Sequence, residues 1–260
     1  MSRYNYTLVL VGGLLLLGAP GFADGVLTPI PGIVSTGAGL TQSASDVSYL
    51  LISAPAGVTL GDSVVACDVI GCGSGTTPAF PFWANSPWAW TADTASSSWI
   101  TVNYPAEGGL PGQQYGNINE KTPGQAGTGV TVGDPQGYYD FQVSFTLTAS
   151  EAATASISGL WAVDNEGQIY LNGNADPFGY CEASPYCYQQ MSSFDLTSGF
   201  VAGMNHLDFV VYNWAGATGN PVGLNVQMSG YYEVPEPASV ALAPAGLAAL
   251  AFLRRRRKTS

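Results

Sequence analysis

Basic side chains are almost missing from this chain of 260 residues. Its seven Lys and Arg are Arg3, Lys121 and a terminal group, Arg254, Arg255, Arg256, Arg257 and Lys258. Residues 24–233 therefore hold one cation against seventeen Asp and Glu, a formal charge of 1 − 17 = −16. Such a body repels phosphate backbones and anionic lipid surfaces, which excludes nucleic-acid binding. Histidine is nearly absent too. A single His, His206, cannot build an H-E-x-x-H metal site. There is no G-x-S-x-G elbow, and the cysteines are expected to be oxidised, so His206 reads as a bystander rather than as the base of a nucleophilic enzyme. A third absence is the 3.6-residue period, which no long stretch of the body displays; helical architectures are excluded on that ground.

What the body does show is alternation. In "DFQVSFTLT", Phe141, Val143, Phe145 and Leu147 share one face, and Gln142, Ser144, Thr146 and Thr148 the other. Leu207, Phe209 and Val211 alternate in "NHLDFVVYN". Val222, Leu224, Val226 and Met228 do the same in "VGLNVQMSG". A period of two means strands with one face buried. "ATASISGLWAV" starts in this rhythm and changes phase at Gly159, which predicts a bulge or bend. "VSYLLIS" and "SSWITVNY" are further strand candidates. "SGFVAGMN", "AGATGNPVG" and "NGNADPFG" read as turns, and residues 105–136 as an extended loop. Short strands between such loops predict an all-β antiparallel sandwich.

The two ends differ from the body. At the N-terminus Arg3 precedes an uncharged apolar run, Thr7 to Leu17, and Gly21 and Ala23 are small residues placed for a cut after Ala23. That is the layout of a signal peptide, the alternative being an uncleaved anchor. Export favours disulfides. The four cysteines fall into two close pairs, Cys67 with Cys72 and Cys181 with Cys187. Three pairings exist and the two local ones are preferred; a four-thiolate zinc site is the rival.

At the C-terminus "VPEPAS" leads into sixteen mostly apolar residues, Ala238 to Leu253, and then the basic cluster. A helix of that length reaches ~24 Å, short of a ~30 Å hydrocarbon core, and snorkelling Arg and Lys make up the difference. Pro244 weakens the helix, which suits a transient anchor. The positive-inside bias keeps the cluster cytoplasmic and the body outside. Pro235 and Pro237 hold the preceding stretch extended. The order Pro235-Glu236-Pro237, apolar segment, basic stop resembles the PEP-CTERM sorting signal, over the last 27 residues only. The resemblance implies processing by an exosortase-type membrane enzyme after passage through the secretion translocon and signal peptidase. It also implies a destination at the cell surface or in an exopolysaccharide matrix, reached by transient inner-membrane anchoring. An ordinary tail anchor is the alternative.

"WAVDNEGQIYLNG" (Trp161 to Gly173), "FDLTSGFVAGMNHLDFVVYN" and "GNPVGLNVQMSG" are similar to galactose-binding-like jelly rolls over Ser97 to Glu233. The organisation expected is a signal peptide over residues 1–23, a β/loop extension packed on the sandwich over 24–96, a jelly-roll sandwich over 97–233, and a sorting tail with a transmembrane helix over 234–260. Fold resemblance of this kind does not name a ligand.

Three sets of residues carry candidate chemistry. Asp164, Asn165, Glu166, Asn172, Asn174 and Asp176 supply hard oxygens within one expected hairpin and form a candidate structural calcium site; no other cofactor is indicated. Asp164 and Glu166 would flank a turn there, which suits turn chemistry better than glycosidic cleavage. "FPFWANSPWAW" gathers Phe80, Phe82, Trp83, Trp88 and Trp90. Those rings either cap the core or, with Trp214 in a loop, contact carbohydrate. The expected role is that of an exported, non-catalytic structural or adhesive protein that contacts polysaccharide. The alternatives are a secreted glycan-active enzyme and a calcium- or small-ligand-binding module.

Overall fold

Alternating apolar residues require strands with one wet face, and the computed structural model of the chain supplies them. It describes residues 25–41, 44–66, 90–103, 134–182, 186–215 and 222–234. The chain divides into two compact units. One, Met1–Val26 with Pro235–Ser260, lies almost wholly outside the described residues, and with it the expected signal peptide, sorting motif, apolar tail and basic stop. No helix among the described residues is long and apolar enough to cross a membrane.

The other unit, Leu27–Val234, holds an all-β, almost entirely antiparallel architecture. In chain order its elements are β1 (Val26–Pro29), β2 (Ser45–Ser53), β3 (Thr59–Val65), β4 (Ile100–Asn103), β5 (Gly137–Leu147), α1 (Ala149–Ala152), β6 (Ser156–Asp164), β7 (Glu166–Leu171), β8 (Asn174–Cys181), α2 (Tyr186–Gln189), β9 (Ser192–Leu196), β10 (Gly203–Asn213) and β11 (Gly223–Val234). Hydrogen-bonded neighbours run β8-β7-β10-β5-β2-β3-β4-β11-β6-β9, and β1 pairs with β11. The inner faces of the two ends of this path meet as the layers of a sandwich. Phe209 of β10 packs against Trp161 of β6 and Phe194 of β9, at ring-centroid distances of 6.3 and 6.1 Å.

The strands of the C-terminal half follow the alternation. Phe141, Val143, Phe145 and Leu147 are buried, as are Leu207, Phe209 and Val211 and the series Val222, Leu224, Val226 and Met228. β5 and β10 pair over their whole length without a shift, from Gly203 opposite Leu147 to Asn213 opposite Gly137. Residues expected as an extension enter the sheet itself: β2 pairs with β5, and β3 with β4. Asp46 at the start of β2 is buried and accepts from the backbone N–H of Gly37 (2.7 Å) and Ser48 (3.0 Å). A buried carboxylate needs such donors. The short α1 begins with a capping box, Thr148 to Glu151 and back.

Three local expectations are corrected. "VDNEGQ" is not a hairpin: β6 pairs with β11 and β9, β7 with β10 and β8, and the chain steps between layers at Asn165. "NGNADPFG" is not only a turn, because β8 starts at Asn174. Pro177 is tolerated there since β8 ends the path of strands, where a missing N–H leaves no inner ladder broken. Gly159 carries no bulge; its register with Met228 is regular. The apparent phase change arises because Gly159 takes an inward position and Leu160 stays outward and exposed. A Cβ at Gly159 would collide with the Gln227 carbonyl oxygen and with Met228. Gly159→Ala is therefore expected to lower the thermal midpoint by several degrees, on the order of 2 kcal/mol, whereas the neighbouring Leu160→Ala stays within about 0.5 kcal/mol. Thermal unfolding of the two variants side by side checks this.

Candidate functional site

The period that buries Phe141 and Phe209 sends the intervening residues of β5 and β10 to the opposite face. Register then fixes who stands beside whom. Tyr138 lies opposite Tyr212, Asp140 opposite Val210, Gln142 opposite Asp208, and Ser144 opposite His206. β7 continues the rows, with Glu166 beside Tyr212, Gln168 beside Val210 and Tyr170 beside Asp208. β8 adds Tyr180 beside Gln168. Strands about 4.8 Å apart make this face about 14 Å wide from β5 to β8.

Aromatic rings crowd one end of it. Tyr138 and Tyr212 have centroids 4.7 Å apart, tilted by 46°. The Tyr212 hydroxyl accepts from Gln136 Nε2 at 2.8 Å, which holds that ring at its polar tip. Tyr138 is 66% exposed and Tyr180 54%. Desolvation, and then the negative charges of Glu182 and Glu166, raise the Tyr180 phenol above its usual range, with Tyr138 also within electrostatic reach. Gln168 is committed to structure: its Nε2 donates to the carbonyls of Asp176 (2.8 Å), Gly179 and Ile169 (both 3.0 Å), and so fixes β8 against β7.

Carboxylates occupy the middle. Asp208 Oδ1 accepts from Gln142 Nε2 at 2.7 Å. Asp140 sits diagonally across from Asp208, and its Oδ1 is buried without a hydrogen-bond partner. Burial, and then the charge of Asp208, push its pKa up to about 6. Ser144 Oγ and His206 Nδ1 are 3.0 Å apart at the far end. Ser144 also donates to Gln142, and among the described residues no carboxylate orients the imidazole as a triad requires. The face thus offers ring surfaces for stacking and acceptors for hydroxyl donors.

The residues singled out in the sequence are placed differently. Trp90 is 4% exposed and belongs to a second, smaller core with Ala66, Trp99, Ala162 and Tyr188, on the outer side of β6 and β11. Its ring stacks on Trp99 at 4.1 Å and covers Gly223, where any Cβ would strike the indole. This excludes Trp90 as a sugar contact. Trp83, Trp88, Cys67 and Cys72 lie outside the described residues, as do residues 105–133 of the expected loop. Trp214 follows β10, is 39% exposed, and donates its backbone N–H to Asn165 Oδ1 at 2.8 Å. Cys181 and Cys187 are joined as the local pairing predicted.

The expected calcium ligands do not converge. Glu166 points to the tyrosine face, while Asp164, Asn165 and Asp176 are buried. Asn172 bridges Asn205 and Gly199 and accepts from the His206 N–H. Asn174 donates to the Leu171 and Asn172 carbonyls. Among the described residues no three His, Cys, Asp or Glu are grouped so as to hold a metal. Asp164 instead accepts from Trp90 Nε1 at 2.8 Å. Burial pushes its pKa up to about 8; the Trp90 hydrogen bond acts against that rise and the charge of Asp134 adds to it.

The molecule is thus a β-sandwich protein with a tyrosine-and-carboxylate sheet face. No protein-family model matches the sequence, and no curated protein matches it. Among solved structures it is similar to a CBM36-1 domain of a multidomain xylanase from the hindgut metagenome of Trinervitermes trinervoides. Identity is 13%, the match covers 40% of this chain and 89% of that domain, and the TM-score is 0.25. A Podospora anserina GH26-CBM35 β-(1,4)-mannanase matches at 16% identity over 44% of this chain and 25% of its own, with a TM-score of 0.22. A β-glucosidase from Kluyveromyces marxianus, in complex with glucose, matches at 13% identity over 35% of this chain and 10% of its own, with a TM-score of 0.24. These overlaps are partial and bear on neither ligand nor activity.

Asp164 sets a pH dependence. Its folded pKa of about 8 exceeds the ordinary 3.8, so between those values the native state keeps a proton that the unfolded chain has released. Stability from this group is complete below about pH 4, falls as pH rises, and levels off above about pH 8. Asp164→Asn keeps an acceptor for Trp90 and has no proton to lose. It is expected to flatten the decline and raise the thermal midpoint at pH 8, as melting curves across this range would record.

Proposed function

We propose that this chain is an exported, non-catalytic surface or matrix protein whose jelly-roll body binds carbohydrate on the outer face of β5, β10, β7 and β8. One observation carries the reading: a tyrosine pair, exposed Tyr138 and half-buried Tyr212, shares a sheet face with carboxylates that can accept from sugar hydroxyls. Ring faces stack on the apolar sides of sugars, and carboxylates and amides fix orientation. Export rests on the layout of the two termini, and the Cys181–Cys187 disulfide supports it, since such bonds persist in oxidising compartments. Sorting by an exosortase-type enzyme at Pro235, Glu236 and Pro237 follows from the tail's resemblance to the PEP-CTERM signal. Intact mass of the protein from cells and from medium tests it, with termini expected near Asp24 and near the motif.

A second reading is favoured by one feature. Asp140, with its raised pKa, stands diagonally across from Asp208 on β10, and glycoside hydrolysis uses two carboxyl groups of which one has a raised pKa. The two readings separate experimentally. For a binding protein, Tyr138→Ala and Tyr212→Ala each weaken polysaccharide affinity about tenfold, and no reducing ends accumulate. For a hydrolase, reducing ends appear and vanish in Asp140→Asn. For binding, the sign of the pH dependence follows from Asp140, which faces Asp208 and Tyr138 on the same side of the sheet. The carboxylate accepts from sugar hydroxyls best when ionised, so affinity rises as pH passes upward through about 6. Affinity electrophoresis across that range, with Asp140→Asn losing the rise, measures it.

A further inference from the structure

Resting on the carbohydrate reading above, we infer that the ligand class is a neutral, hydroxyl-rich polysaccharide, held without a bridging metal ion, and that anionic glycans are rejected. The argument is one of charge at the face. Among the described residues every ionised group beside the tyrosines is acidic: Asp140 on β5, Asp208 on β10 and Glu166 on β7, with Glu182 exposed just beyond β8. Tyr180 senses the charges of Glu166 and Glu182 directly. No Lys or Arg occurs among the described residues, and Lys121 is the only one between residues 24 and 233. The single imidazole, His206, stands two rows of the sheet away from Val210 and is engaged by Ser144.

A uronate, sulfate or phosphate on a polymer needs a cationic or N–H-rich partner when it leaves water. Among the described residues this face has no cation to give, the amides of Gln136 and Gln142 already donate to Tyr212 and Asp208, and the carboxylates repel such groups, the more so at low ionic strength. A divalent cation could bridge carboxylate to carboxylate, but no three His, Cys, Asp or Glu among the described residues are grouped to hold one. A neutral sugar meets the opposite situation. Its hydroxyls donate, and the face presents the carboxylates of Asp208 and Glu166 as acceptors, beside rings that take the sugar's C–H surface.

The test is affinity electrophoresis of the purified chain in gels containing hydroxyethylcellulose, xylan, galactomannan or alginate, each with and without EDTA, at low and moderate salt. The expected result is retardation by at least one neutral polymer, unchanged by EDTA and reduced at least tenfold in Tyr138→Ala, with no retardation by alginate. Tyr138 is largely exposed, so the variant is expected to fold; melting curves verify that. Glu166→Gln/Asp208→Asn gives a second handle by relieving the repulsion, and alginate uptake should rise in it. Stronger binding to alginate than to every neutral polymer, or loss of neutral binding in EDTA, overturns this inference and leaves the carbohydrate reading standing. No retardation by any of the polymers overturns both.

Discussion

The register between β5 and β10 is the constraint on which the rest of the molecule depends. Side chains alternate with a period of two, so one pairing decides both sides of the sheet at once. Eleven residues of each strand pair in unbroken register. That pairing seats Phe141 beside Phe209 in the core and Tyr138 beside Tyr212 outside it. A slip of one residue would put Tyr138, Asp140 and Gln142 into the core and the phenylalanines into water. The energy that protects the outer face is thus the burial of the inner one. Each large apolar side chain held there contributes about 1.5–3 kcal/mol.

The same logic explains why the second core matters. β11 is buried on both faces around Gly223 and Asn225, because Trp90 and Trp99 roof its outer side. Polar groups are trapped beneath that roof. Asn225 is fully buried with neither amide atom partnered, and Asp164 keeps one oxygen unpaired. Unsatisfied groups of this kind destabilise a fold by about 1–3 kcal/mol each. This side of the sandwich is held by indole packing against those costs, while the tyrosine side is open to water.

Much of the fold was legible in the sequence. Alternation in 141–147, 207–211 and 222–228 identified inward residues that are buried. The outer partners were legible by the same count, and an outward Tyr-x-Asp-x-Gln on one strand was the signal for the site. That signal does not mark a site by itself, because pairing of β5 with β10, some sixty residues away, is not written in either strand alone. The tryptophans are the more conspicuous feature of the sequence, yet Trp90 serves packing. Proximity in sequence misled at "VDNEGQ" as well. Asp164 and Glu166 are two residues apart, yet the crossing at Asn165 sends one into the Trp90 core and the other to the tyrosine face. Pro177 and the glycines of "NGNADPFG" read as a turn because Pro is rare in inner strands; β8 ends the path of strands and escapes that rule.

The central claim is that polysaccharide docks on the face set by the β5–β10 register. Hydroxyl-radical footprinting of tyrosine side chains, with and without a bound neutral polysaccharide, tests it most directly. The account predicts protection of Tyr138, Tyr180 and Tyr212, with Tyr231 on β11 unchanged as an internal reference. Unchanged labelling of those three rings while the polymer is bound, with protection at Trp214 or Tyr231 instead, would contradict it.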